Sequence, residues 1–332
     1  MMIARSISMI RKLQTPSGLF VAASDPTTHY SRQAWLRDNV YVALGFEAVD
    51  SYKEVLKAYQ ALLDFFRKFE WKIDFAIKSK PQHKHEYIHA RINPETMEEF
   101  WEDWGNMQND AIGAILFKIG EMEQKGIRVI RDQDDHRIVQ KLVDYLQSIE
   151  YWHDADNGMW EENEEIHASS VGACVAGLKK VQSIVYVPED LIQKGIITLN
   201  HLLPRESESK DTDLALLSLI YPYDVVSEEQ KLAILKDVET KLVRKNGVIR
   251  YRDDYYYNRD GEAEWTFGFP WLAIIYKNMG DQQKYEHYLK KTLAVMNEEG
   301  ELPELYYANT DEHNENTPLG WGQALAIVAM RL

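Results

Sequence analysis

Two glutamates, Glu161 in Gly158-Met-Trp-Glu-Glu162 and Glu304 in Leu302-Pro-Glu-Leu-Tyr-Tyr307, are placed as paired acid–base chemistry requires. Cleaving a glycosidic bond needs one protonated carboxyl to give the leaving oxygen a proton and one ionised carboxyl to act on water or on the sugar. Glu161 follows Trp160 and precedes Glu162; an apolar wall and a like charge both favour the protonated form, which suits a general acid. Pro303 has a fixed φ and restricts Leu302, stiffening the turn that presents Glu304. The chain holds 53 Asp and Glu, most of them expected at the solvated surface, so it is their setting that singles out these two.

Three further segments concentrate unusual residues: Trp35-Leu-Arg-Asp38, Trp104-Gly-Asn-Met-Gln-Asn-Asp110 and Arg250-Tyr-Arg-Asp-Asp254. Seven of the nine tryptophans (Trp35, Trp101, Trp104, Trp160, Trp265, Trp271 and Trp321) lie in or beside the five segments, whereas core packing would spread them more evenly. Flat aromatic faces beside Arg, Asp and Gln suit a sugar, whose C–H face packs on a ring while its hydroxyls need fixed donors and acceptors. No metal or cofactor is expected. His83, His85 and His89 lie in a charged loop without a carboxylate cluster to complete a metal site, and no phosphate-cradling glycine loop exists. Ser169 and Ser170, close to His167, read as helix-capping hydroxyls and not as nucleophiles.

The elements that must position these residues are helices. Leu56, Tyr59, Leu62, Leu63 and Phe66 make one apolar stripe, and Ile138, Leu142, Tyr145, Leu146 and Ile149 another. The same reading predicts helices near 1–13, 38–48, 51–78, 107–123, 133–151, 168–183, 188–201, 211–220, 227–244, 262–278, 281–297 and 318–331. Period-2 alternation is scarce, the best case being Gly247 to Tyr251. The fold class is therefore all-α. Twelve amphipathic helices bury their faces if six hairpins close into a double ring, an (α/α)6 toroid, and residues 1–332 are expected to form one domain. Each of the five segments precedes an even-numbered helix, so an inner ring of even helices gathers all five at one rim. Acidic residues recur at intervals of about 50 (Asp110, Glu161 and Asp211; Asp254 and Glu304), as a six-hairpin repeat requires.

The formal charge of −15, from 38 Lys and Arg against 53 Asp and Glu, repels phosphate backbones and anionic lipid, so neither nucleic acid nor membrane is an expected partner. A lone cysteine, Cys174, and the absence of a signal-peptide core or a long apolar run point to a cytoplasmic location.

The five segments together resemble the blocks of glycoside hydrolase family 15, the glucoamylase-type family, and within it most closely the related domain of phosphorylase kinase alpha and beta subunits. The resemblance runs from about residue 15 to the C-terminus. It implies an (α/α)6 barrel and inversion at the anomeric carbon. Trp35-Leu-Arg-Asp38 is similar to the family's Trp-x-Arg-Asp block, implying that Arg37 and Asp38 grip the terminal sugar beside Trp35. The block from Trp104 to Gln108 implies a sugar-facing Trp104 and a binding or structural Gln108. Gly158-Met-Trp-Glu161 matches the block of the general acid, which assigns that role to Glu161 and substrate contacts to Trp160 and Glu162. Arg250-Tyr-x-x-Asp254, followed by Tyr256 and Tyr257, implies a substrate-binding Arg250. Leu302-Pro-Glu-Leu-Tyr-Tyr307, with Trp321-Gly-Gln323, implies that Glu304 is the general base, with Tyr306 and Trp321 at the sugar. Neither the separate N-terminal β-domain nor the starch-binding module of other members is read in the chain, which favours short α-glucosides as substrate. The alternative implied by the kinase branch is a carbohydrate-binding or regulatory domain without turnover.

Overall fold

The computed structural model describes residues 2–102 and 104–332. The chain forms an (α/α)6 toroid of twelve helical layers whose outer and inner members alternate along the sequence. The outer ring comprises α1 (Met2–Lys12), α3 (Tyr52–Lys68) with its continuation α4 (Glu70–Lys78), α6 (Gln133–Ile149), α8 (Glu189–Leu202), α9 (Glu228–Asp237) and α11 (Gln282–Ala294). The inner ring comprises α2 (Leu36–Glu47), α5 (Asn109–Gln124), α7 (Ala168–Val181), a 3-10 helix (Leu214–Leu219), α10 (Gly268–Asn278) and α12 (Gly320–Arg331). Neighbouring inner members pack in that order, and α12 returns to α2 to close the ring.

Apolar patterning explains the layers. Inner helices are apolar almost all round: every residue from Leu36 to Phe46 of α2 is buried, as is every residue from Gly320 to Ala329 of α12. Outer helices bury one stripe, such as Val55, Tyr59, Leu62 and Phe66 of α3 and Ile138, Leu142, Tyr145 and Ile149 of α6. The closest approach is between α5 and α7, where a Cβ on Gly113 would lie 2.4 Å from the Ala173 carbonyl carbon and one on Gly177 2.4 Å from the Gly113 oxygen. Only glycine permits that separation.

Four details differ from the sequence reading. The helix expected over 51–78 bends at Phe69 (φ −102°, ψ 19°), which ends α3 and opens α4. The eighth element is a tighter 3-10 turn begun by Asp213, whose carboxylate accepts the Ala215 N–H, and not an α-helix over 211–220. Residues 227–244 end in a π-helical turn, Val238–Leu242. The expected strand at Gly247 to Tyr251 is reduced to single bridges, Val248 to Val243 and Trp265 and Tyr251 to Asp213. Five short strands occur among the described residues: β1 (Ala34–Trp35), β2 (Arg91–Asn93) and β3 (Glu98–Glu99) pair antiparallel in that order, and β4 (Glu264–Trp265) pairs with β5 (Leu305–Tyr306). They stitch together the loops that enter the inner helices. No helix among the described residues is long and apolar enough to cross a membrane.

Candidate functional site

All five segments converge at the rim formed by the N-termini of the inner helices. There they line a cavity of about 350 Å3 that holds Trp35, Arg37, Asp38, Trp104, Trp160, Glu161, Glu162, Arg250, Glu304 and Trp321. Arg37 and Asp38 lie in the first turn of α2 and Trp321 in the first turn of α12; Trp35 ends β1, and the others sit in loops that lead to inner elements. Unpaired N–H groups at these helix ends add a partial positive charge to the rim.

Glu161 occupies a turn that the sequence locks to the Trp104 block. Gly158 (φ +62°) and Glu161 itself (φ +64°) take left-handed backbone conformations. The Asn157 side chain accepts the Met107 N–H at 3.1 Å and donates to the Glu162 carbonyl at 2.7 Å, while Asp156 accepts the Asn109 N–H at 2.9 Å. The Glu161 carboxylate then receives the Trp104 indole N–H at 2.5 Å and the Gln108 amide at 2.9 Å, with Arg37 Nη2 at 3.6 Å. The surround is thus hydrogen-bonding and cationic, in place of the apolar wall and like charge expected from Trp160 and Glu162.

Glu162 is neutralised from the other side. Arg250 Nη2 donates at 2.7 Å, the Tyr251 hydroxyl at 2.5 Å and Lys210 Nζ at 3.0 Å. Burial opposes its ionisation, but Arg250 and Lys210 outweigh it and hold Glu162 below the ordinary glutamate range. Arg250 is itself clamped by Asp254 at 2.7 and 2.8 Å, with its guanidinium 4.8 Å from the Trp265 ring centre.

Glu304 lines the same cavity and is 2 % exposed. Asn314 and Asn316 both donate to its Oε2, at 2.5 and 2.7 Å, and Tyr30 lines the same cavity. Burial still prevails over these donors and raises its pKa above the usual glutamate value. A carboxyl so tuned is a stronger base once ionised. Asp38 is pushed up to about 7 by burial, with Arg37 opposing and Glu161 and Glu304 adding to the rise. Its carboxylate takes no hydrogen bond from any described residue, which leaves it free for a ligand hydroxyl.

Aromatic rings form the apolar wall: Trp321 stacks on Phe267 (centroids 5.0 Å apart, 18° between planes), and Trp160 lies parallel to Trp321 at 6.2 Å. Gln108 stands behind the lining, bridging Arg37 and Glu161. Tyr306 does not line the cavity. Its hydroxyl donates to the Val295 carbonyl at 3.0 Å and its ring packs edge-on to His313, so packing consumes it. The sequence reading missed Tyr30, in a short 3-10 helix (His29–Arg32), and Lys210, Asn314 and Asn316, which sit in loops whose composition carries no signal. His89 does not face the cavity either: its Nδ1 accepts the Arg91 N–H at 3.0 Å.

The comparisons agree with this fold. The model of the family described as glycosyl hydrolases family 15 matches residues 1–331. Among curated proteins, the chain is 27% identical over 380 residues to the regulatory subunit alpha of phosphorylase b kinase, skeletal muscle isoform, from Oryctolagus cuniculus, covering 91% of this chain and 30% of that protein. It is 26% identical to the probable counterpart from Drosophila melanogaster, covering 95% and 31%. The chain therefore spans about a third of the length of these relatives. Among solved structures, a glycosidase variant in complex with glucose superposes with a TM-score of 0.84 at 19% identity, covering 99% of this chain and 95% of that one. A bacterial glucoamylase complexed with acarbose superposes with a TM-score of 0.74 at 15% identity, covering 99% and 55%. At such identities the likeness is one of fold.

Proposed function

Because the chain belongs to glycosyl hydrolases family 15, we propose that it is an inverting, exo-acting hydrolase of short α-glucosides. In this reading Glu161 protonates the glycosidic oxygen and Glu304 takes a proton from the water that attacks the opposite face of the sugar. Arg37, Asp38 and Arg250 hold the hydroxyls of the terminal glucose, Glu162 and Gln108 fix the neighbouring groups, and Trp35, Trp104, Trp160 and Trp321 pack on the sugar faces. The observation that carries the reading is the presence of Glu161 and Glu304 in one cavity, each gripped by neutral amide or indole N–H donors and standing among aromatic rings. A cavity sunk into one rim of a ring admits a chain end, hence exo action. Cys174, a free thiol buried in α7, is consistent with a cytoplasmic, reducing location.

Incubation with a panel of α-linked disaccharides tests the proposal. Glucose release is expected from the parent, and Glu161→Gln or Glu304→Gln each lowers kcat by about 10²- to 10⁴-fold. Near-parental turnover by either variant removes the assignment. The regulatory subunits among the relatives support a second reading, a carbohydrate-binding domain without turnover. It predicts oligosaccharide binding by calorimetry with no glucose released on prolonged incubation.

A further inference from the structure

We propose that Arg91 is a positioning residue for the Glu161 carboxyl, acting through Trp104. The inference rests on the general-acid reading of Glu161, but the contact on which it is built is observed independently. Arg91 is 1 % exposed, and its guanidinium lies 4.3 Å from the centre of the Trp104 ring, with Phe100 and Trp35 at 5.4 and 5.9 Å. A buried guanidinium among three aromatic rings is costly unless those rings and its hydrogen bonds compensate.

The compensation is partial and directional. Nη1 donates to Gln33 at 2.9 Å and Nη2 pairs with the exposed Glu102 at 3.2 Å, while Nε has no partner among the described residues. The backbone is held as firmly. Arg91 opens β2 and pairs in register with Trp35 of β1, and its N–H is accepted by His89. Burial, reinforced by the Arg91 and Lys72 charges, pushes His89 down to about 3, so that Nδ1 stays neutral and remains an acceptor. Arg91 is thus held as a flat cation whose nearest aromatic ring is the Trp104 indole.

That indole is the one whose N–H meets Glu161. Trp104 belongs to a loop segment without helical or strand support, so the cation over its face, together with the Glu161 hydrogen bond, holds the plane of the ring. The guanidinium also draws electron density from the indole and strengthens its N–H as a donor. The pairing is selective for arginine, because a planar fork stacks where an ammonium does not.

Indole N–H resonances in a 15N-labelled protein test the proposal without requiring turnover. The Trp104 signal is identified by its loss in Trp104→Phe and by its movement in Glu161→Gln. In Arg91→Met it is expected to shift upfield as its hydrogen bond lengthens, and in parallel kcat is expected to fall about 10- to 100-fold with KM little changed. Adding Arg91→Met to Trp104→Phe is expected to cost nothing further in kcat, whereas a purely structural arginine gives additive losses. Arg91→Lys, which keeps the charge and spares the fold if Arg91→Met does not, is expected to reproduce the upfield shift. An unmoved Trp104 signal in the arginine variants, full rescue by lysine, or additive losses overturns the proposal. If no α-glucoside is cleaved by the parent, the function reading fails while the resonance still decides the role of Arg91.

Discussion

Gly105→Ala should disable the proposed site without altering any side chain that lines the cavity. A Cβ at Gly105 would lie 2.4 Å from the Glu161 carbonyl oxygen, 2.7 Å from its carbonyl carbon and 3.1 Å from its Cα. Ordinary contact begins near 3.5 Å, so one backbone must retreat by roughly 1 Å. Neither retreats easily: Glu161 is already left-handed at φ +64°, and Met107 and Asn157 exchange hydrogen bonds that staple the two loops together. The displacement therefore falls on the Glu161 carboxyl and on its partners Trp104 and Gln108. A misplacement of that size costs about 10²-fold, close to 3 kcal/mol in the barrier. The assay is kcat on the best disaccharide of the panel, with circular dichroism and the melting temperature checking that the toroid is intact. A folded Gly105→Ala protein with kcat within about threefold of the parent would refute the reasoning that Glu161 depends on this contact.

The pH dependence should report Glu304. Its pKa is raised by burial and restrained by amide donors, and in its proposed role as base it must be ionised, so activity is expected to fall as pH drops through that pKa. Asn316→Leu removes a donor to the charged form, which favours the protonated form, so the acid limb of the kcat/KM profile moves to higher pH, by about 1–2 pH units for one charge-assisted hydrogen bond; a limb that stays put or moves down contradicts this. Lys118 of α5 is buried between Glu47 and Glu121 in the ring wall, away from the cavity lining. Lys118→Met leaves those carboxylates without their buried cation and should lower stability by about 3–5 kcal/mol in denaturant titration, whereas an unchanged midpoint means the pair contributes little.

The ring was legible because apolar residues recur at helical spacing over whole layers, and the outer stripes of α3 and α6 need no tertiary information. The bend at Phe69 was not, since neither glycine nor proline marks it and the apolar pattern runs through. The 3-10 turn at Leu214–Leu219 is apolar throughout and looks like helix to any periodicity. Strands of two or three residues are too short to show alternation, yet they set the register that places Trp35 beside Arg91. Within the site, arginine, tryptophan and glutamate clusters stood out by type. Asn314, Asn316 and Lys210 became visible only through folding, because ordinary loop residues acquire meaning when a buried carboxylate needs donors. Tyr306 misled because adjacency to Glu304 in the chain does not place its ring on the cavity side.

In the proposed mechanism water attacks directly, assisted by Glu304, while Glu161 protonates the leaving oxygen, which inverts the anomeric centre. Proton NMR during the first minutes of α-linked disaccharide cleavage measures this most directly. Glucose released from the non-reducing end is expected to appear first as the β-anomer and then to mutarotate. Initial release of the α-anomer, or no release at all, would contradict it.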